Sequence, residues 1–216
     1  MLTELKTIVT SRIKACELLY LMHNIKPVVR QGFYPNELEK VEAFCKTNNL
    51  CIVKAPYKIS LEEDNGFSNK GKIIGGENKE NKRGMSIVYI SKDREKALLT
   101  CLAETQQDHI TAGLMLGYPK CCTEFFTSEF AKGNLNPIHK PTNVWTNLTQ
   151  RDKDAAFVSH FPCNSGCKES IALAKENFRL LEKIDKKTVE EMKGVLENKL
   201  SYQTTDEKLD HNQQDA

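Results

Sequence analysis

Four of the eight cysteines in this 216-residue chain fall in two short segments, "GYPKCCTEFF" (117–126) and "SHFPCNSGCKES" (159–170). In each, a proline stands shortly before the first cysteine and a helical pattern follows. The pattern places sulfur at two helix starts, beside unpaired backbone N–H groups and the positive end of a helix dipole, where thiolate is stabilised. Thiolate is the form that binds metals and attacks electrophiles, so the chemistry in view is metal ligation or nucleophilic catalysis.

Helical geometry limits how these sulfurs can meet. If the last helix starts at Pro162, Cys163 and Cys167 lie one turn apart and continue the stripe of Ile171, Ala174, Phe178 and Leu181. If Asn164 is the cap instead, Cys163 lies in the loop and Cys167 in the first turn. In the other segment Cys122 shares a face with Phe125 and Phe126, while Cys121 is rotated from it by about 100°. His160 is a fifth candidate, since imidazole accompanies thiolate in zinc sites and some iron sites. The candidate ligands are therefore Cys121, Cys122, His160, Cys163 and Cys167, for zinc or an iron–sulfur cluster. The spacing matches neither the short ferredoxin runs nor a zinc knuckle, so donor softness leaves both metals open. Three protein ligands with an open position would suit catalysis, and four would suit a structural ion.

Two other readings stand beside this one. In a metal-free thiol enzyme, Cys163 or Cys122 would be the nucleophile and His160 its base, with helix N–H groups stabilising anionic charge. Alternatively the thiols are small buried hydrophobes, which is the expectation for Cys16, Cys45, Cys51 and Cys101.

The pair "LGYPKCCTEFF" and "HFPCNSGCKES" resembles the mainly archaeal family known as domain of unknown function 483. The resemblance is specific at these motifs and extends over roughly residues 1–200. It implies a cytoplasmic protein of archaeal type with a signature of Gly117, Tyr118, Pro119, Cys121, Cys122, His160, Pro162, Cys163, Cys167 and Ser170, and it brings no reaction. Within that signature Gly117 permits a left-handed turn and Pro119 fixes a helix entry. Tyr118 and Ser170 are the candidate cofactor contacts, an aromatic wall with a polar tip and a hydroxyl for a thiolate or substrate.

The elements that must position these residues divide the chain. Apolar positions recur at helical spacing over residues 3–23, up to Pro27, and a second helix is expected in "PNELEKVEAFCKTNN" with Asn36 as its cap. "LCIVKAPYKISLE" and "GMSIVYISKD" are rich in β-branched and aromatic residues and predict two strands, with "KGKIIGG" as a third. From Asp93 a helix is expected to bury Leu98, Leu102, Thr105, His109, Ala112 and Met115. Gly117 ends it and Pro119 opens the next helix. A long helix from about 165 to 184 follows. The expectation is a single α+β domain over 1–200, with N-terminal helices, a small antiparallel sheet and a mainly helical C-terminal half carrying the cysteines in 117–170. A polar, disordered tail is expected over 201–216.

Composition narrows the function classes. Hydrophobic content of 39% and charged content of 28% suit a globular chain. The net charge of +2 provides no global field for nucleic acid or an anionic membrane. RNA recognition would need a local patch, such as the lysine-rich loop Lys70–Arg83 around a structural zinc, and Glu77 and Glu80 interrupt that run. An unknown small molecule or protein is the expected partner. No apolar run spans a membrane, and Lys6, Arg12, Lys14 and Glu17 break up any leader, so a cytoplasmic location with reduced thiols is expected.

Overall fold

The structure, a computed structural model, describes residues 2–60, 72–74, 84–198 and 200. The expected tail 201–216 and most of the lysine-rich loop lie outside these residues. The fold is α+β: α1 (Leu2–Val9), α2 (Arg12–Met22), β1 (Val29–Phe33), α3 (Pro35–Thr47), β2 (Cys51–Ser60), β3 (Lys72–Ile74), β4 (Met85–Ser91), α4 (Arg94–Thr105), α5 (His109–Met115), α6 (Lys120–Ala131) and α7 (Lys168–Glu197). The strands form an antiparallel sheet in the order β1-β4-β2-β3.

The central strand β4 is buried on both faces, and its alternation divides the core in two. Val88 and Ile90 join a large cluster with residues of α1, α2, α3 and α7, while Ile87 and Tyr89 face a smaller one with Val28, Ala97 and Leu116. Pro56 has no N–H for a ladder, yet β2 is an inner strand. The ladder accommodates it by a register shift: Lys54 pairs with Val88 and Lys58 with Ser86, leaving three β2 residues opposite Ile87 alone.

Two expected helices are each divided. The stretch 3–23 breaks at Thr10, whose φ is 54°, because Ser11 starts a new helix with help from a distant carboxylate. Asp154 accepts from Ser11 Oγ at 2.7 Å and Ile13 N at 3.0 Å, and also from Arg12 N, neutralising the free donors of α2. The stretch after Asp93 breaks at Gln107, and Asp108 caps α5 by accepting from Thr111 N at 3.0 Å. Likewise α3 begins at Pro35 with Tyr34 as its cap residue, two residues before the expected Asn36.

The expected apolar face of α4 is reversed. Ala97, Thr100 and Ala103 are buried against the sheet side, whereas Leu98, Leu99 and Leu102 are 41–52% exposed, as are Ile110 (40%) and Leu114 (42%) on α5. Small residues allow α4 to approach the sheet closely, and that close approach decides which face turns inward. One half-buried polar group also fastens it there: Glu104 accepts from Arg30 Nε at 2.7 and 2.8 Å and from Tyr89 Oη at 2.8 Å.

Gly117 joins α5 to α6 at φ +76°, where an added Cβ would lie 2.9 Å from Pro27 Cδ. Gly133, at φ +84°, has nothing within 4 Å of the same position. Alanine at either site suffers left-handed strain of about 1–2 kcal/mol. Gly117→Ala is expected to be the more destabilising in urea unfolding, because Pro27 must also give way. Equal losses for the two variants would show that this contact carries nothing.

Candidate metal centre

Two walls build the site. On one, Pro119 is the cap residue of α6, so Cys121 and Cys122 are its second and third residues, with Cys122 N donating to Pro119 O at 3.0 Å. On the other, Cys163 lies in the loop after Pro162, and Cys167 is the last residue before α7. Of the two arrangements expected for this helix start, the one with Cys163 in the loop is observed, and Cys167 occupies the cap rather than the first turn.

The loop is held from outside. Ser165 Oγ accepts from Thr142 N at 2.8 Å, and Ser165 O accepts from Asn143 Nδ2 at 2.7 Å and Thr146 Oγ at 2.6 Å. Phe161 stacks on Phe126 of α6 at a centroid distance of 5.5 Å, bringing the walls together.

The four cysteine sulfurs all lie within 4.8 Å of one another. Cys121 and Cys122 are 3.8 Å apart, Cys121 and Cys167 3.7 Å, and Cys122 and Cys167 3.5 Å. Cys122 and Cys167 are buried, while Cys121 and Cys163 are half-buried, so the group has an inner and an outer side. Such a group can hold a metal ion. The other four cysteines stand apart as free thiols: Cys16 and Cys45 are buried, Cys51 and Cys101 half-buried.

His160, Ser170 and Tyr118 stand behind this group. Ser170 Oγ lies 3.1 Å from Cys122 Sγ, and His160 Nε2 lies 2.8 Å from Ser170 Oγ, so the imidazole reaches the sulfurs through a hydroxyl. The Tyr118 ring is 5.2 Å from His160, and Lys26 Nζ lies 5.0 Å from the centre of the same ring. Lys26 pairs with Glu17 and donates to Ser159 Oγ at 2.8 Å, with both ionic side chains under 10% exposed. Arg151 donates to Ser159 O at 2.6 Å.

This ionic layer, buried at Glu17 and Lys26 and half-buried at Arg151, has no sequence signal, because charged residues ordinarily lie on the surface. Two further groups touch the sulfurs. Asn164 Nδ2 lies 3.5 Å from Cys163 Sγ, and the Glu169 carboxylate lies 3.5 Å from Cys167 and 3.8 Å from Cys121. Both could have been sought in "CNSGCKE", where they sit within two residues of a cysteine.

The protein alone does not ionise the whole set. Burial pushes the Cys122 thiol up and the Cys121 thiol up to about 11. At Cys167 burial acts in the same direction, but the hydrogen bonds at this sulfur, that of the Ser170 backbone N–H among them, together outweigh it and lower the thiol. Four thiolates this close need a cation among them. Burial, with Lys26 and Arg151 nearby, holds the His160 imidazole down to about 3, so it is neutral near pH 7.

That depression gives a signed pH dependence. Unfolded His160 takes up a proton near its ordinary value of 6.5, whereas the folded group resists until about pH 3. The associated stability is therefore complete above pH 6.5 and declines as pH falls through that window, by up to about 1.4 kcal/mol per pH unit. Urea unfolding between pH 7 and 5 should show a shallower decline in His160→Gln than in the unaltered chain. Parallel curves would contradict the assignment.

No family model, curated protein or solved structure matches the chain, and among the described residues no helix is long and apolar enough to cross a membrane.

Proposed function

We propose that the protein is a mononuclear metal–thiolate protein in which Cys121, Cys122, Cys163 and Cys167 hold one tetrahedral zinc ion. The observation that carries this is the mutual separation of the sulfurs. With Zn–S near 2.3 Å, the edge of an S4 tetrahedron is about 3.8 Å. Three pairs lie at 3.5, 3.7 and 3.8 Å, and the rest fall within 4.8 Å. A four-iron cluster places its cysteines on separate irons and needs a wider set. Sulfur from all four sides leaves no open position, which favours a structural ion fastening the start of α6 to the segment that leads into α7.

The metal-free thiol enzyme draws less support. His160 meets a serine oxygen instead of a sulfur, and a group so hard to protonate is a weak base near neutral pH. A reducing compartment such as the cytoplasm would keep the four thiols available. Membership of the family known as domain of unknown function 483 remains part of this proposal through the two cysteine motifs.

Purified chain should contain close to one zinc per molecule and no acid-labile sulfide by elemental analysis. Cys167→Ser should lose the metal and lower Tm by roughly 10 °C, the effect of about 4 kcal/mol of linked binding in a chain of this size. Protein prepared anaerobically with neither zinc nor iron would overturn the proposal.

A further inference from the structure

The polar groups behind Cys122 form a chain with one consistent direction once that sulfur is a metal-bound thiolate, a reading that rests on the function proposed above. A thiolate only accepts hydrogen bonds. Cys163 N–H supplies one at 3.3 Å, and Ser170 Oγ, at 3.1 Å, must turn its single proton toward the same sulfur. With that proton committed, the hydroxyl oxygen is an acceptor for its other neighbour, so His160 Nε2, 2.8 Å away, must carry the imidazole N–H.

Nδ1 is then the bare nitrogen. It is buried and has no hydrogen-bond partner among the described residues, and Lys26 and Arg151 are the cations acting on the ring. A lone pair is favoured in that field. The opposite direction, with Cys122 S–H donating to Ser170 and Ser170 to Nε2, would place an N–H on Nδ1 with no acceptor in the same positive field. A buried donor left unsatisfied is costly, so the surroundings favour the direction that serves thiolate.

We infer that Ser170 and His160 are positioning residues for the metal, a directional relay running from Nε2–H to Oγ and from Oγ–H to the Cys122 sulfur. By drawing electron density from that one sulfur, the relay makes Cys122 electronically distinct from the other three ligands.

Nitrogen-15 NMR of the zinc-loaded chain tests the direction without any substitution of the relay, with a His160→Gln spectrum assigning the ring. The expected state is a neutral Nε2–H tautomer with unprotonated Nδ1; an Nδ1–H tautomer or an imidazolium would overturn the relay. The cobalt-substituted protein tests its effect on the sulfur. Ser170→Ala should move the sulfur-to-cobalt charge-transfer bands to lower energy and weaken zinc binding by about 10- to 100-fold. His160→Gln, whose amide N–H can replace Nε2–H, should keep the bands near their original position, and His160→Leu should shift them. Unmoved bands in Ser170→Ala would also overturn the inference. A metal-loaded chain with the wrong tautomer defeats the relay alone, whereas a chain that takes up neither zinc nor cobalt defeats the metal reading and the relay with it.

Discussion

Four sulfurs within 4.8 Å of one another impose a charge problem on everything around them. As thiols they pack, but as thiolates they repel, and the protein by itself lowers Cys167 while raising Cys121 and Cys122. The surrounding structure meets this constraint with direction more than with charge. Cys163 N donates across from its loop to Cys122, and Ser170 approaches from the first turn of α7. Because the walls are more than forty residues apart in sequence, their meeting depends on the stacking of Phe126 on Phe161 and on the hydrogen bonds that hold Ser165.

Behind the sulfurs lies a second electrostatic layer of opposite character. Lys26 and Glu17 are buried together, and Arg151 approaches from another segment to reach the same serine residue as Lys26. Removing one member of such a pair leaves the other uncompensated, a loss of about 3–5 kcal/mol in comparable settings. Its cations and the Tyr118 ring surround His160, so the imidazole is held neutral between a basic interior and a sulfur-rich surface.

The candidate site was legible because its marks are local. Proline, cysteine and the following helical period occur together, and each segment can be understood without knowing the rest of the chain. The break between α1 and α2 was not legible, since its decisive partner Asp154 lies 143 residues from Ser11. The inward face of α4 misled for another reason. Leucine marks a core face only where there is room for leucine, and here the sheet lies close enough to require Ala97, Thr100 and Ala103 instead. His160 was found, but its distance from the sulfurs depends on Ser170 standing between them, which spacing along a chain does not reveal.

The last helix is not a straight rod. Thirty residues of ideal helix would extend about 45 Å, but at Asp185 the backbone leaves helical geometry, and the Asp185 carboxylate accepts from Thr188 N at 3.1 Å to start the helix again. Beyond the bend, Val189, Met192 and Leu196 return to the same core as Leu5 and Val9, and Asn147 donates to Leu196 O at 2.8 Å. One continuous segment thus acts as an angled beam, with Ser170 beside the sulfurs near one end and Leu196, in the large core and held by Asn147, near the other. A load on either end is carried to the other through a single elbow.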